Sequence, residues 1–342
     1  MQNGDEMAET AAKKGGFIEL DPNLLKDNTK SLFDIFAQVE YDAEEQSKES
    51  LILYAKAPYR WTLRELTELS RVGVTSFFVP DKEKQALDRY KKLNKPLPKI
   101  DPNLEPTYRM KAIQDVGQHL VESCFLSEIG SELVEKISEV AGQVVNCLVD
   151  EPKSVLQIQS LGEYDMYTYI HSIGVGTLCA AIALQMGEVN KEVLKSYALG
   201  GILHDVGKRH IPLNVLNKAG PLTNEEWEVM KSHPQAGHAD LKDIELPKVV
   251  LEMVGLHHEK LDGSGYPGGL SKDQIPFHVQ LATVADIFNA LTTSRCYHKK
   301  RNRFEGLMFM KHNLRGKINQ DIFKALVSCL VQDQVGLSKS LK

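Results

Sequence analysis

The run Leu199–Lys208, LGGILHDVGK, constrains this chain more than any other stretch. Leu199, Ile202 and Leu203 form an apolar run, and the polar pair His204-Asp205 closes it. A carboxylate beside core-facing residues is costly unless something neutralises it. A metal ion would do so, and imidazole with carboxylate is a good donor set for one. The fold must then bring further donors to this point from elsewhere in the chain.

Histidine distribution says where to look. Ten of the eleven histidines lie between His171 and His312, and only His119 falls outside. In that half, apolar periodicity predicts a series of helices. Tyr164 to Leu184 reads as a helix bearing His171-Ser172, and Lys191 to Val206 as one ending in His204-Asp205. Thr223-Asn224-Glu225-Glu226 is a capping box opening a helix with Trp227 and Met230 on its face, and Pro234 stops it just after His233. Pro247 opens another helix, through Val250, Met253 and Val254, which ends at His257-His258-Glu259. The loop DGSGYPGG follows, and then Val279 to Leu291, an almost wholly apolar helix carrying Asp286.

Seven polar groups thus sit inside or at the ends of apolar helices: His171, His204, Asp205, His233, His257, His258 and Asp286. Each alone has an ordinary explanation, such as a core histidine with one hydrogen bond. Packed together without a cation they would leave several unpaired polar groups in a core. Around two divalent cations they form a satisfied shell of nitrogen and oxygen donors. Adjacent His-Asp and His-His pairs suit two ions, because one helix end can serve both with the carboxylate bridging. His210, His238, His278, His298 and His312 stand in polar or loop contexts and read as surface residues.

The rest of the chain suggests an α+β protein: a small mixed α/β unit ahead of an all-helical one. Residues 1–16 read as a disordered lead, 17–94 as the α/β unit, 95–150 as a proline linker and helical connector, and 151–335 as the helical domain. Strands are expected at Phe17–Leu20, Ser50–Ala55 and Val74–Val79, with Ser31–Val39 a strand or short helix. Helices are expected after the capping box Thr62–Glu65 and over Asp81–Leu93. Lys95–Pro106 holds four prolines in twelve residues. Thr107 to Val149 reads as one long helix or two, a connector that passes a signal, makes a homodimer or simply packs. The first unit shows no catalytic constellation and reads as regulatory, a place for a protein partner.

Composition narrows the function class. The net charge of -5 gives no basic field for a nucleic acid polymer. The longest apolar stretch, Ile173 to Met186, is too short for a membrane span. Five widely spaced cysteines without a C-x-x-C fit a reducing cytoplasm.

In order, His171-Ser172, HDVGK from His204, His233, His257-His258-Glu259, DGSGYP from Asp262 and Asp286 resemble the HD-GYP family, a bacterial subgroup of the HD metal-dependent phosphohydrolases. The likeness covers about residues 155 to 300 and extends to VLNKAGPLTNEEW from Val215 and DIFNALTTSRCY from Asp286. It implies an all-helical fold, a two- or three-metal centre, and hydrolysis of cyclic di-GMP to linear pGpG or GMP. Three departures stand out. Tyr167 replaces a glutamate of three-metal members, so two ions are expected, iron first, with manganese, nickel or zinc as the other candidates. Asn289, three residues after Asp286, replaces a common aspartate and is expected to stand behind the ligands, and Lys260-Leu261 replace the usual Arg and aromatic after HHE.

In the mechanism so implied, two ions about 3.5–4 Å apart hold a bridging hydroxide near neutral pH. Asp205 bridges them and Lys208 grips a phosphate oxygen. Gly265, within a loop that lets backbone approach the ligand, Tyr266, Lys260 and Arg295 are the remaining substrate contacts. Two other readings stand beside it: an HD phosphohydrolase of another nucleotide, such as a nucleoside triphosphate or (p)ppGpp, and a receptor that binds cyclic di-GMP without turnover.

Overall fold

A computed structural model of the chain describes residues 13–14, 16–25, 30–43, 46–71, 76–93, 100–101, 103–126, 128–160, 167–293 and 301–331. The lead expected at 1–16 lies almost wholly outside them, as do Arg295 and His298. The chain divides into two compact units, residues 1–97 with 126–128, and residues 98–125 with 129–342.

The first unit is a mixed β and helical region. Strands β1 (Lys13–Lys14), β2 (Phe17–Leu20), β3 (Lys30–Ser31), β4 (Ile35–Ala43), β5 (Gln46–Ala55), β6 (Tyr59–Arg60) and β7 (Phe77–Pro80) form two sheets. The larger has the order β1-β2-β7-β4-β5, and β3 pairs with β6. All described pairings are antiparallel, with Ile18 opposite Val79 and Phe36 opposite Phe78. Alternation places Ile18, Leu20, Phe33, Ile35 and Ala37 in one core with Trp61, Phe77 and Val79. Helices α1 (Leu63–Arg71) and α2 (Lys84–Leu93) complete the unit. The Thr62 capping box is formed, with Glu65 N donating to Thr62 Oγ1 and Thr62 N to Glu65 Oε2.

The second unit is helical: α3 (Pro106–Leu126), α4 (Ser131–Asp150), α5 (Tyr167–Gln185), α6 (Lys191–Leu203), α7 (Leu213–Leu216), α8 (Asn224–Met230), α9 (His233–Leu241), α10 (Lys248–Leu256), α11 (Phe277–Thr292), α12 (Arg303–Asn313) and α13 (Gln320–Val331). The stretch Thr107 to Val149 is thus two helices, separated at Gly130, which stands as the cap of α4. At the centre is α5, buried without interruption from His171 to Ala183 and packed on α4, α6, α11 and α13. A helix apolar on every side belongs in the middle of a bundle, which is why His171 finishes far from water.

Two close approaches assemble the site. At the α5–α6 crossing a Cβ on Gly201 would stand 2.7 Å from Gly176 Cα, and one on Gly176 would stand 2.5 Å from Ala198 O. Only paired glycines let the two backbones touch, and this touch brings His204 beside His171. Further on, a Cβ on Gly207 would stand 2.0 Å from His233 O and 2.4 Å from Gly237 N. Gly207 therefore seats the turn after Asp205 directly on α9.

Two helix boundaries differ from the sequence expectation. Helix α6 ends at Leu203 and not at Val206: Asp205, at φ -97° and ψ 6°, turns the chain into a tight 3-10 turn over Val206–His210. His233 begins α9 and does not end α8, because Pro234 occupies the first helical turn, where its missing N–H costs nothing. No helix among the described residues is long and apolar enough to cross a membrane.

Candidate metal centre

All seven expected donors converge. His171, from the second turn of α5, meets His204-Asp205 at the end of α6, His233 at the start of α9, His257-His258 at the end of α10 and Asp286 in the middle of α11. Six of the seven are buried and His258 is half-buried. Six of them fall into two clusters able to hold divalent cations, His171-His204-Asp205 and Asp205-His233-His257-His258, with Asp205 common to both, and Asp286 lies against both.

Each carboxylate spans the two clusters. Asp205 Oδ2 faces His204 Nε2 at 3.2 Å and His171 Nε2 at 3.7 Å, and its Oδ1 faces His233 Nε2 at 3.2 Å and His257 Nε2 at 3.8 Å. Asp286 Oδ1 lies 3.1 Å from His171 Nε2 and 3.9 Å from His204 Nε2, while its Oδ2 lies 3.8 Å from His258 Nδ1. Two clusters that share carboxylates in this way are capable of coordinating two divalent ions.

The donor set fits cations better than it fits itself. His204 Nδ1 stands 2.7 Å from Gly201 O, His233 Nδ1 2.8 Å from Met230 O, and His257 Nδ1 3.0 Å from Val254 O. A carbonyl only accepts, so each Nδ1 carries the proton and each Nε2 turns a lone pair inward. His233 Nε2 and His257 Nε2 then face each other at 3.2 Å as two acceptors, a repulsive arrangement that a cation between them relieves. His204 Nε2 and Asp205 Oδ1 are buried and make no aligned hydrogen bond. Backbone and side-chain partners that fix the tautomer of a ligating histidine are the usual outer support of such a site.

Electrostatics prepare the same protonation states. Burial pushes His257 well below the ordinary histidine range, helped by the neighbouring His258, His204 and His233, and pushes His258 down to about 3. Burial also lowers His171. At Asp205 burial opposes ionisation, but His204 and Lys208 outweigh it and hold the carboxyl well below the usual range. Asp286 behaves likewise, with burial overcome chiefly by His171. His204 runs the other way: burial lowers it, but Asp205 and Asp286 outweigh burial and raise it. The lowered imidazoles of His171, His257 and His258 and the two ionised carboxylates are the states that bind metal.

Around this centre the other expected residues separate. Lys208 Nζ lies 2.5 Å from Asp205 Oδ2, half-buried at the mouth of the cluster. The Tyr266 ring packs on His258, with centroids 4.6 Å apart and planes at 31°. Burial, with the charges of Asp286 and Asp205, raises the Tyr266 phenol. Gly265 is a packing position: a Cβ there would stand 2.4 Å from Lys260 N and 2.5 Å from His258 O. Lys260 is half-buried at this same turn. Arg295 lies outside the described residues, and so does the side chain of Tyr167. His278, expected at the surface, is instead half-buried and 2.8 Å from Glu252. Its neighbour Val279 faces the core, so the turn carries His278 inward with it.

Two supports have partners that the sequence does not reveal. Asn289, one turn after Asp286, puts Oδ1 2.8 Å from His171 Nδ1 and accepts from Thr293 Oγ1 at 3.1 Å. It thus serves His171 as the carbonyls serve the other histidines. Glu259 is buried, and its carboxylate accepts from Gly268 N at 2.5 Å and Leu270 N at 2.9 Å. The signal for Glu259 was a glycine-rich loop whose amides need acceptors, but nothing local says which acceptor serves them.

Asn289→Leu, which keeps the size and removes the acceptor, is expected to weaken metal binding about 10- to 100-fold. Asn289→Asp is expected to retain it. Competition with a chromophoric chelator measures both, and equal retention in the two variants would contradict the role.

Comparison with known proteins agrees with this geometry. Residues 144–322 match the HD domain family, and the chain belongs to it. Its helical unit is an HD-type phosphohydrolase domain closely related to the HD-GYP phosphodiesterases. The cyclic di-GMP phosphodiesterase PA4108 of Pseudomonas aeruginosa is 33% identical over 194 residues, 56% of this chain and 46% of that protein. The 3'3'-cGAMP-specific phosphodiesterase 1 of Vibrio cholerae is 35% identical over 217 residues, 63% of this chain and 46% of that protein. The chain spans less than half the length of these two relatives. The fold is shared with Bd1817, a HDG"Y"P protein from Bdellovibrio bacteriovorus, at a TM-score of 0.59 and 20% identity, over 92% of this chain and 99% of that one.

Proposed function

We propose that this protein is a metal-dependent phosphodiesterase that hydrolyses cyclic di-GMP to pGpG, GMP or both. The observation that carries the reading is the pair of donor clusters sharing Asp205, a constellation suited to two ions and to a phosphodiester between them. When bound, such ions supply Lewis acidity and a nucleophilic water at neutral pH. The chain's own residues do the rest. His171, His204, His233, His257 and His258 would hold the ions through imidazole nitrogens, Asp205 and Asp286 would balance their charge, and Lys208 would offer a cation to a phosphate oxygen. Tyr266 gives the ligand a flat wall next to His258. Iron is the first candidate metal, because mixed imidazole and carboxylate shells suit it, with manganese, nickel or zinc as alternatives. The described cysteines are buried free thiols, which fits a reducing cytoplasm.

A second reading is 3'3'-cGAMP as substrate, and the observation favouring it is the 35% identity with enzymes specific for that molecule. The first unit we read as a place for a protein partner, since Ile52 and Leu53 are exposed on β5, at one edge of its sheet.

The test is turnover by protein prepared without oxygen and supplied with iron or manganese. Linear product from cyclic di-GMP, faster than from 3'3'-cGAMP, is expected. Tight binding of cyclic di-GMP with no product would replace the enzyme by a receptor.

A further inference from the structure

The loop after the HHE segment is built more firmly than its glycines suggest. Gly263 and Gly269 stand at φ +77° and +62°, conformations that suit glycine. Gly265 packs into the backbone of His258–Lys260, Tyr266 N donates to His258 O at 3.3 Å, and the buried Glu259 carboxylate takes the amides of Gly268 and Leu270. The ring of Tyr266 is thereby fixed against His258 at one end of the metal cluster.

Next to it stands Trp227, from α8, six residues before the ligand His233. Its ring centroid lies 6.3 Å from that of Tyr266, and the two planes meet at 76°. Trp227 is 46% exposed, whereas Trp61, the second tryptophan of the chain, is fully buried in the first unit. Its chain neighbours Glu226 and Glu228 are engaged by Lys218 and Lys231 and lie to either side of it, while Met230, one turn on, shares its face. A large ring left nearly half open to water, and joined edge to face with a ring that packs on His258, is a feature that burial in the core does not explain.

We propose that Trp227 and Tyr266 form the corner of a nucleobase subsite, in which a base of the substrate stacks on one ring and sets its edge toward the other. The inference rests on the phosphodiesterase reading and adds how the base is held. Stacking suits the position, because an aromatic face receives any purine and leaves the phosphate free to reach the metal cluster. A ring fixed by Glu259 loses little freedom when the base arrives, which favours binding.

The full chain, loaded with metal, tests this with two variants of an exposed position. Trp227→Ala is expected to raise KM for cyclic di-GMP about tenfold, while Trp227→Phe stays within about threefold. In Trp227→Ala the preference for cyclic di-GMP over the base-free diester methyl p-nitrophenyl phosphate falls about tenfold, with bound metal as the control. Tryptophan fluorescence should be quenched on rapid mixing of wild type with cyclic di-GMP, and the quench should be lost in both variants. An unchanged KM in folded, metal-loaded Trp227→Ala overturns the subsite and leaves hydrolysis standing. Equal losses in the Ala and Phe variants also overturn it, since phenylalanine keeps a stacking face. A wild type that cleaves the base-free diester but neither binds nor cleaves a cyclic dinucleotide overturns the subsite and the substrate reading together.

Discussion

Replacing Asp205 with alanine is expected to abolish hydrolysis, by on the order of 10³-fold or more, and to lower the metal bound to the protein. Asp205 divides its two oxygens between the clusters, Oδ2 toward His171 and His204, Oδ1 toward His233 and His257. No other described carboxylate stands where Asp205 does, because Asp286 reaches the second cluster only through His258. Removing Asp205 also takes away half of the carboxylate charge that would balance cations held by the imidazoles. Circular dichroism separates loss of the site from loss of the fold. Full turnover by a folded Asp205→Ala protein would refute the mechanism.

Lys208→Ala is expected to keep its metal and to lose activity by about 10²-fold. Lys208 Nζ is held by Asp205 Oδ2 at 2.5 Å, so its ammonium is already aimed at the cluster. Its carbon stem reaches from the 3-10 turn that Gly207 seats on α9. Arginine at this position is not an equivalent, since its planar fork needs more room than a point charge. Elemental analysis beside the rate measurement decides the role. Parallel loss of metal and activity in Lys208→Ala would make the lysine a support for Asp205 and not a phosphate contact.

Much of the site was legible in the sequence for a local reason. Each donor is a polar group set in or against an apolar helix, and the conflict between the two is visible without knowing the fold. Helix limits were legible wherever chemistry marks them, as at the Thr62 and Thr223 capping boxes. His233 was harder, because a proline after a histidine reads as a stop and serves equally as a first turn. The partners that orient the donors were not legible. Asn289 supports a histidine 118 residues away, and Glu259 supports amides nine and eleven residues on. Nor could the strand order be read, since β7 enters between β2 and β4 from beyond α1. Those facts live in tertiary contacts, which periodicity and capping do not encode.

The same division explains why the glycines matter. Gly176, Gly201 and Gly207 carry no chemistry and pass unnoticed in sequence, yet they set how closely α5, α6 and α9 approach. The seven donors are local choices, and their convergence depends on these contacts.

Placing the ions tests the shared role of Asp205 most directly. Crystals of protein prepared without oxygen, measured at the absorption edge of the metal found by elemental analysis, would give anomalous peaks at the cluster. Two peaks about 3.5–4 Å apart, with the Asp205 carboxylate between them, are expected. A single peak, or two that share no carboxylate, would contradict that role.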